Sequence, residues 1–148
     1  MANIVFNIAL GRVAQYASLP LTNDALIMVP IETSGIVADS TMRDYADLST
    51  LLAGASNEQT TMGRKTLASV TATVDNTNDR VNIDCADVTW TAATGNAISA
   101  VVICYDPDTT TGTDSDLIPL TKHDVTMTPD GSDFTLTISD FARASSAA

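Results

Sequence analysis

The sequence predicts a mainly β protein: an antiparallel, β-sandwich-like domain that carries one short α-helix. Apolar and polar residues alternate along residues 70–74 and 81–85, on either side of the polar cluster 75–79. Alternation around a turn-forming cluster is the pattern of a β-hairpin with one solvated face. The apolar run 98–105 is rich in β-branched residues, which is typical of a strand covered on both faces. We expect these apolar faces, together with that of residues 134–138, to form one core.

Three regions are expected along the chain. Its 148 residues are enough for one domain with a substantial core and are few for two. We place a single β-rich domain at residues 25–141. Residues 1–24 precede it as an N-terminal arm or first strand, and residues 142–148 follow it as a flexible tail.

The N-terminal segment supports more than one interpretation. Ile4, Phe6 and Ile8 alternate with polar or smaller residues as in a strand, whereas residues 8–16 also fit one or two helical turns. If the segment is an extended arm, we expect it to be separable from the domain and to become ordered only on a partner's surface.

Two further predicted strands contain proline. Residues 25–31 form an apolar, β-branched run, and residues 117–120 form a shorter one. Proline has no N–H to donate to a ladder, so Pro30 places its strand at a sheet edge or ends it there. For the same reason we expect the second strand to be limited by Pro119.

The helix is predicted at about residues 41–53. Thr41 and Asp44 have the spacing of a capping box, and Gly54 is a natural stop. Arg43 and Asp47 stand in i,i+4 register, where opposite charges attract. The face expected to pack on the domain carries four apolar residues: Met42, Tyr45, Leu48 and Leu52.

Composition argues against nucleic-acid and membrane partners. The formal net charge is −11, whereas binding to nucleic acid needs a basic surface that displaces counterions. An anionic membrane would repel such a chain as well. Glu occurs only at Glu32 and Glu58, and the excess of Asp, which favours turns, indicates many loops and few helices.

Few residues could support catalysis or bind a metal. A nucleophilic pair would need the single histidine, His123, beside Cys85 or Cys104. Both cysteines occupy apolar strand positions, so we expect buried, unbridged thiols and place His123 in a loop or at a strand end; the spacing of the cysteines alone would also permit a disulfide. Zinc would require three or four nitrogen or sulfur ligands that lie together. The sequence therefore predicts no catalytic residue, no metal and no cofactor.

The acidic loop 106–116 contains four aspartates and is a possible calcium ligand set. It departs from the EF-hand pattern, because the glycine position is Thr111 and the final glutamate position is Leu117. We interpret it as a solvated loop. Trp90 is interpreted as a core residue and not as a platform for a sugar ring.

Arg64 and Lys65 are adjacent bases in a strongly acidic chain. They would suit docking on an acidic partner. The alternative is a solvated pair without a partner, since exposed charges contribute little by themselves.

Several segments resemble the small structural proteins encoded in the head region of tailed bacteriophages. The resemblance covers about residues 7–143 and consists of turn and strand patterns. The segments are Asn-Asp-Ala-Leu-Ile at 23–27, the helix at 39–53, Asn-Glu at 57–58, Arg-Lys-Thr-Leu at 64–67, the hairpin at 73–81, Asp-Val-Thr-Trp at 87–90, Cys-Tyr-Asp-Pro-Asp-Thr at 104–109 and Ile-Pro-Leu-Thr at 118–121.

The resemblance implies a capsid decoration, or cement, protein that binds the exterior of the virion as a homotrimer, with the major capsid protein as its partner. It supplies no catalytic residues. The alternative is a head-fibre or tail module that recognises a host surface glycan, and a small hydrolase ranks last. We predict that contact with the capsid is made by the N-terminal segment and the basic pair, through Ile4, Phe6, Ile8, Arg12, Arg64 and Lys65.

Overall fold

A computed structural model of the chain describes residues 2–54 and 56–145. The predicted fold class is confirmed: the protein is mainly β, its sheets are antiparallel, and its helices are few and short. The strands are β1 Ile4–Val5, β2 Ala25–Glu32, β3 Lys65–Thr66, β4 Thr71–Asp75, β5 Arg80–Asp84, β6 Val88–Trp90, β7 Ile98–Asp106, β8 Ile118–Met127, β9 Phe134–Leu136 and β10 Ala142–Ser145. A 3-10 helix, Asn7–Ala9, precedes α1 Val13–Ala17, α2 Asp39–Met42 and α3 Leu48–Ala53.

The central sheet has five strands in the order β1-β8-β7-β2-β3. β7 lies in its middle and pairs antiparallel with both β2 and β8. Successive residues of β7 point to opposite faces. Val102 and Cys104 are buried on one face and Val101 and Ile103 on the other, so the predicted double covering of this strand is confirmed.

The two faces of the central sheet carry separate cores, where one was expected. The first core lies between this sheet and two smaller sheets, of order β10-β5-β4 and β6-β9, with α1 beside them. Trp90 is buried in it, as predicted, and stacks on Phe134 with ring centroids 5.8 Å apart. The second core is closed by the N-terminal residues and by α2 and α3, which contribute Ile4, Phe6, Met42, Leu48 and Leu51.

Pro30 and Pro119, the two prolines of the predicted strands, both lie within strands of the central sheet. Pro30 pairs in register with Val101 of β7, and on the other side of β2 its carbonyl accepts a hydrogen bond of 2.9 Å from the N–H of Gln59. β2 continues to Glu32, so the prediction that Pro30 places its strand at a sheet edge or ends it there is wrong. Pro119 does not limit a short strand, because β8 continues to Met127. The register between β7 and β8 shifts beside it, and such a bulge tolerates a residue that cannot donate.

The predicted helix at 41–53 is divided into α2 and α3. Asp47 causes the division: its backbone is extended, and its side chain accepts a hydrogen bond of 2.8 Å from the N–H of Thr50, which caps α3. The predicted pairing of Arg43 with Asp47 is therefore wrong. Arg43 donates instead to the carbonyl of Asp39.

The ends of α2 also differ from the prediction. Its N-cap is Ala38, without a side-chain cap, so the expected capping box of Thr41 and Asp44 does not form. With the helix divided, the buried residue of the last turn is Leu51, while Leu52 is only half-buried.

Residues 4–17 belong to the domain and are not an extended arm. β1 pairs antiparallel with β8, with Ile4 opposite Lys122, and two short helical segments follow. Residues 142–145, predicted as part of a flexible tail, form β10 against β5. The rest of that predicted tail, residues 146–148, lies outside the described residues.

The hairpin is formed by β4 and β5, as predicted, but its apolar faces are not equally covered. Ile83 of β5 is buried, whereas Ala72 and Val74 of β4 are exposed. β4 is the edge strand of its sheet, whereas β5 lies between β4 and β10. The assignment of residues 70–74 to the core was therefore wrong for β4.

Candidate functional site

A buried ion cluster holds the N-terminal segment against the domain. Lys122 of β8 is completely buried and donates to Asp39 at 2.8 Å and to Asp124 at 2.6 Å. The hydrogen bond from Lys122 is the main cause that lowers the pKa of the Asp39 carboxyl below its usual range. The other oxygen of Asp39 accepts from the backbone N–H of Ala2 at 2.7 Å, so one carboxylate links the chain start to β8.

Further hydrogen bonds fix the same segment residue by residue. The N–H of Phe6 donates to the carbonyl of Leu120 at 3.0 Å, and the N–H of Asn7 donates to the carbonyl of Arg43 at 2.9 Å. The amide side chain of Asn7 donates to Asp44 at 2.7 Å. Because these bonds reach both β8 and the α2 region, the backbone of the segment is held in one conformation before any partner arrives.

The predicted contact residues of this segment fall into two groups. Ile4 and Phe6 are buried in the second core, so neither side chain is available to a partner, and the prediction that they make contacts is wrong. Ile8, which is 39% exposed, and Arg12 are on the surface.

Two exposed apolar residues of the same segment were not predicted. Val5 is 38% exposed and Leu10 is 62% exposed. The alternation of Ile4 and Phe6 contained the signal for Val5, since the residue between two buried strand positions faces away from them. Leu10 lies at a turn before Gly11, whose φ of +75° suits glycine. We name Val5, Ile8, Leu10 and Arg12 the N-terminal surface.

Arg64 is engaged within the chain. It makes bidentate hydrogen bonds to Glu58, at 2.8 and 2.7 Å, and to Asp114, at 2.6 and 3.0 Å. These two carboxylates raise the pKa of the guanidinium above its usual range, and Arg64 lowers the pKa of Asp114. The prediction that Arg64 and Lys65 act as a free basic pair is therefore wrong for Arg64. Lys65 is half-buried on β3.

His123 lies inside β8, opposite Val101, and not in a loop or at a strand end. Its Nε2 is 3.0 Å from the hydroxyl of Thr121, and burial lowers the pKa of the imidazole below its usual range. It lines a cavity of about 250 Å³ between the central sheet and the segment after β9, together with Met28, Ile103, Leu136, Ile138 and Phe141.

The cysteines do not form a nucleophilic pair with this histidine. Cys104 belongs to the second core, on the opposite face of the central sheet from His123. Cys85 belongs to the first core, and the hydrogen bond of the His123 ring goes to Thr121 and not to this thiol. Both thiols are free and buried, as predicted. Burial raises the pKa of Cys85 to about 11 and that of Cys104 well above its usual range, so both remain protonated at neutral pH.

The acidic loop uses its carboxylates to hold its own backbone. Asp108 accepts from the N–H and the hydroxyl of Thr110, and Asp116 accepts from the N–H of Thr113. Asp114 is occupied by Arg64. Among residues 2–54 and 56–145, no group of three or more His, Cys, Asp and Glu side chains is arranged to hold a metal ion.

Comparison of the chain with protein-family models, with curated proteins and with solved structures gives no match. None of the helices within the described residues has the length and apolar character needed to cross a membrane.

Proposed function

We propose that the protein is a structural component of a bacteriophage virion and binds the capsid exterior through its N-terminal surface. The observation that carries this proposal is the combination of rigid backbone and exposed apolar side chains in one short segment. Val5, Ile8 and Leu10 are exposed, while hydrogen bonds and buried neighbours hold their backbone in place. A preorganised apolar surface gains affinity, because little conformational entropy is lost on binding.

Charge supports the exterior of the shell over its interior. Packaged DNA would repel a chain with a net charge of −11. Arg12 is the exposed base within the N-terminal surface and would pair with an acidic residue of the major capsid protein. Assembly as a homotrimer belongs to the same proposal and rests on the resemblance to phage head proteins.

The test compares two variants that remove the same kind of side chain from different places. Ile8→Ser with Leu10→Ser alters the N-terminal surface, and Leu21→Ser removes another side chain that is 55% exposed but lies outside it. Each variant is mixed with phage heads that lack the protein, and bound protein is measured after sedimentation. Burying one large aliphatic side chain is worth about 1.5–3 kcal/mol, so the double variant should bind at least about tenfold more weakly.

The outcomes separate the proposal from its alternative. Normal binding by Leu21→Ser, with loss of binding by the double variant, supports the N-terminal surface as the contact. Normal decoration of heads by the double variant overturns that assignment. If the wild-type protein fails to bind heads and binds a host polysaccharide, it is instead a glycan-recognising module.

A basic-residue pair gives a second check. Arg64→Ala removes the ion pairs with Glu58 and Asp114 and is expected to lower the stability of the fold. Head binding by the protein that remains folded should be unchanged. Lys65→Ala is the matched variant without those partners and should leave stability unchanged, and its effect on head binding tests the sequence-based prediction that Lys65 contacts the capsid.

A further inference from the structure

β4 is an edge strand with an unusually accessible outer side. Residues 71–74 are exposed, and Val74, at 66%, is the most exposed large apolar side chain among the described residues. β4 pairs with β5 on one side, and no described backbone group pairs with its other side. Such an edge presents a row of free N–H and C=O groups to any extended chain that can align with it.

β4 also lacks the features with which proteins usually protect an edge. It contains no proline or lysine, and its register with β5 runs without a bulge. Its single charge, Asp75, lies at the strand end and pairs with Arg80 at 3.2 Å. β10, at the opposite edge of the same sheet, differs because it carries the exposed charge of Arg143.

We propose that β4 pairs edge to edge with β4 of a second copy of this chain, antiparallel and centred on Thr73. In this register Thr73 faces Thr73 of the other copy, Ala72 faces Val74, and Thr71 faces Asp75. Threonine pairs are favourable across strands, and the pairing of Ala72 with Val74 places two apolar side chains opposite each other. The two smaller sheets would join into one continuous six-stranded sheet, since each copy contributes β10, β5 and β4.

The sequence of β4 makes this particular register electrostatically acceptable. The two Asp75 residues lie at opposite ends of the paired segment, about 13 Å apart at the usual rise of a strand. This distance exceeds the screening length of about 10 Å at 0.1 M salt. A second copy therefore fits the edge without placing like charges opposite each other.

The contact is isologous, so it closes after two copies and is distinct from the capsid surface proposed above. A monomer becomes a dimer, and a trimer, which carries three β4 edges, becomes a hexamer where all three edges meet those of one other trimer. Each copy carries a net charge of −11, so the contact forms against long-range repulsion. Association should consequently strengthen as salt rises, whereas binding of a basic partner segment would weaken.

The test is sedimentation of the purified full chain over a range of protein and salt concentrations. We expect the mass of the main species to double with increasing concentration, at a lower midpoint in high salt. Thr73→Asp places two carboxylates opposite each other at the two-fold axis and should weaken association by about tenfold or more. Thr126→Asp adds the same charge at an exposed position of β8 and should have no such effect.

Mixing variants tests the register itself. Thr73→Asp and Thr73→Lys copies should each associate weakly alone and should form a mixed pair when combined, because position 73 meets only position 73 in the proposed arrangement. Thermal unfolding of each variant verifies that the hairpin is folded. A wild-type mass that never doubles, association unaffected by Thr73→Asp, or failure of the mixture to restore it each overturns the proposal.

Discussion

β7 and β4 are both strands with apolar residues, yet one is the most protected element of the protein and the other is among the least. Val102, Ile103 and Cys104 of β7 are completely buried, whereas Val74 of β4 is largely exposed. The difference follows from position: β7 lies between β2 and β8 with a core on each face, and β4 is the last strand of a small sheet. Apolar alternation shows which side chains share a face, while coverage of that face depends on what the rest of the chain places there.

The largest expected effect comes from shortening a β7 side chain. Ile103→Ala removes buried apolar volume from the first core and should lower the free energy of unfolding by about 2–5 kcal/mol. Urea titration followed by circular dichroism measures this loss. A loss of no more than about 0.5 kcal/mol, which is the range of exposed positions, would contradict the contrast between the two strands.

The second core should be sensitive to loss of the Lys122 cluster. Lys122→Ala removes a buried side chain and its hydrogen bonds to Asp39 and Asp124. Hydrogen bonds to charged groups contribute about 1.5–3 kcal/mol each, but both carboxylates can regain water here, so we expect a loss of about 1–3 kcal/mol. The measurement is the urea midpoint, and Lys65→Ala is the control. Equal midpoints for the two variants would show that the cluster does not stabilise the fold.

Acidification should weaken the same cluster. The pKa of Asp39 in the folded protein lies below its ordinary value of 3.8, mainly because Lys122 donates to it. The resulting stability is fully present above the unfolded pKa and is lost as pH falls through the folded pKa. The urea midpoint should therefore drop between pH 6 and pH 3, and the drop should be smaller in Lys122→Ala. A midpoint that rises on acidification would contradict the sign of this linkage.

The smallest effects are expected on exposed strand positions. Val74→Ala in β4 and Thr135→Ala in β9 should each change the free energy of unfolding by no more than about 0.5 kcal/mol, because neither side chain is covered. Under conditions where the second-copy contact forms, Val74→Ala should still weaken association. A stability loss near that of Ile103→Ala would mean that the outer face of β4 is covered after all.

The strands were largely predictable because their periods are local. The hairpin, the doubly covered β7 and the burial of Trp90 follow from spacing within short segments. The division of the helix was not predicted, although Asp47 is a strong N-cap residue. The i,i+4 spacing of Asp47 from Arg43 suggested that one helix continues through both residues. The extended backbone at Asp47 shows instead that a second helix begins there.

The charged contacts were less predictable, because their partners are distant in sequence. Lys122 reads as an ordinary exposed base in a polar stretch, and its burial depends on Asp39 from the α2 region. Arg64 pairs with Asp114 of the acidic loop as well as with nearby Glu58, so a base that looks unpaired in the sequence already has two carboxylate partners. Similarly, the alternation of Ile4 and Phe6 indicates a strand but does not indicate that β8 supplies its partner.

The pairing of β1 with β8 has a consequence for synthesis on the ribosome. Ile4 emerges first, but its partner Lys122 is added only after most of the chain has been made. At about 5–20 residues per second, this delay lasts roughly 6–25 s. Throughout it Phe6 lacks the β8 side of the second core, so residues 4–6 form an exposed apolar segment that chaperones can bind until β8 has been made.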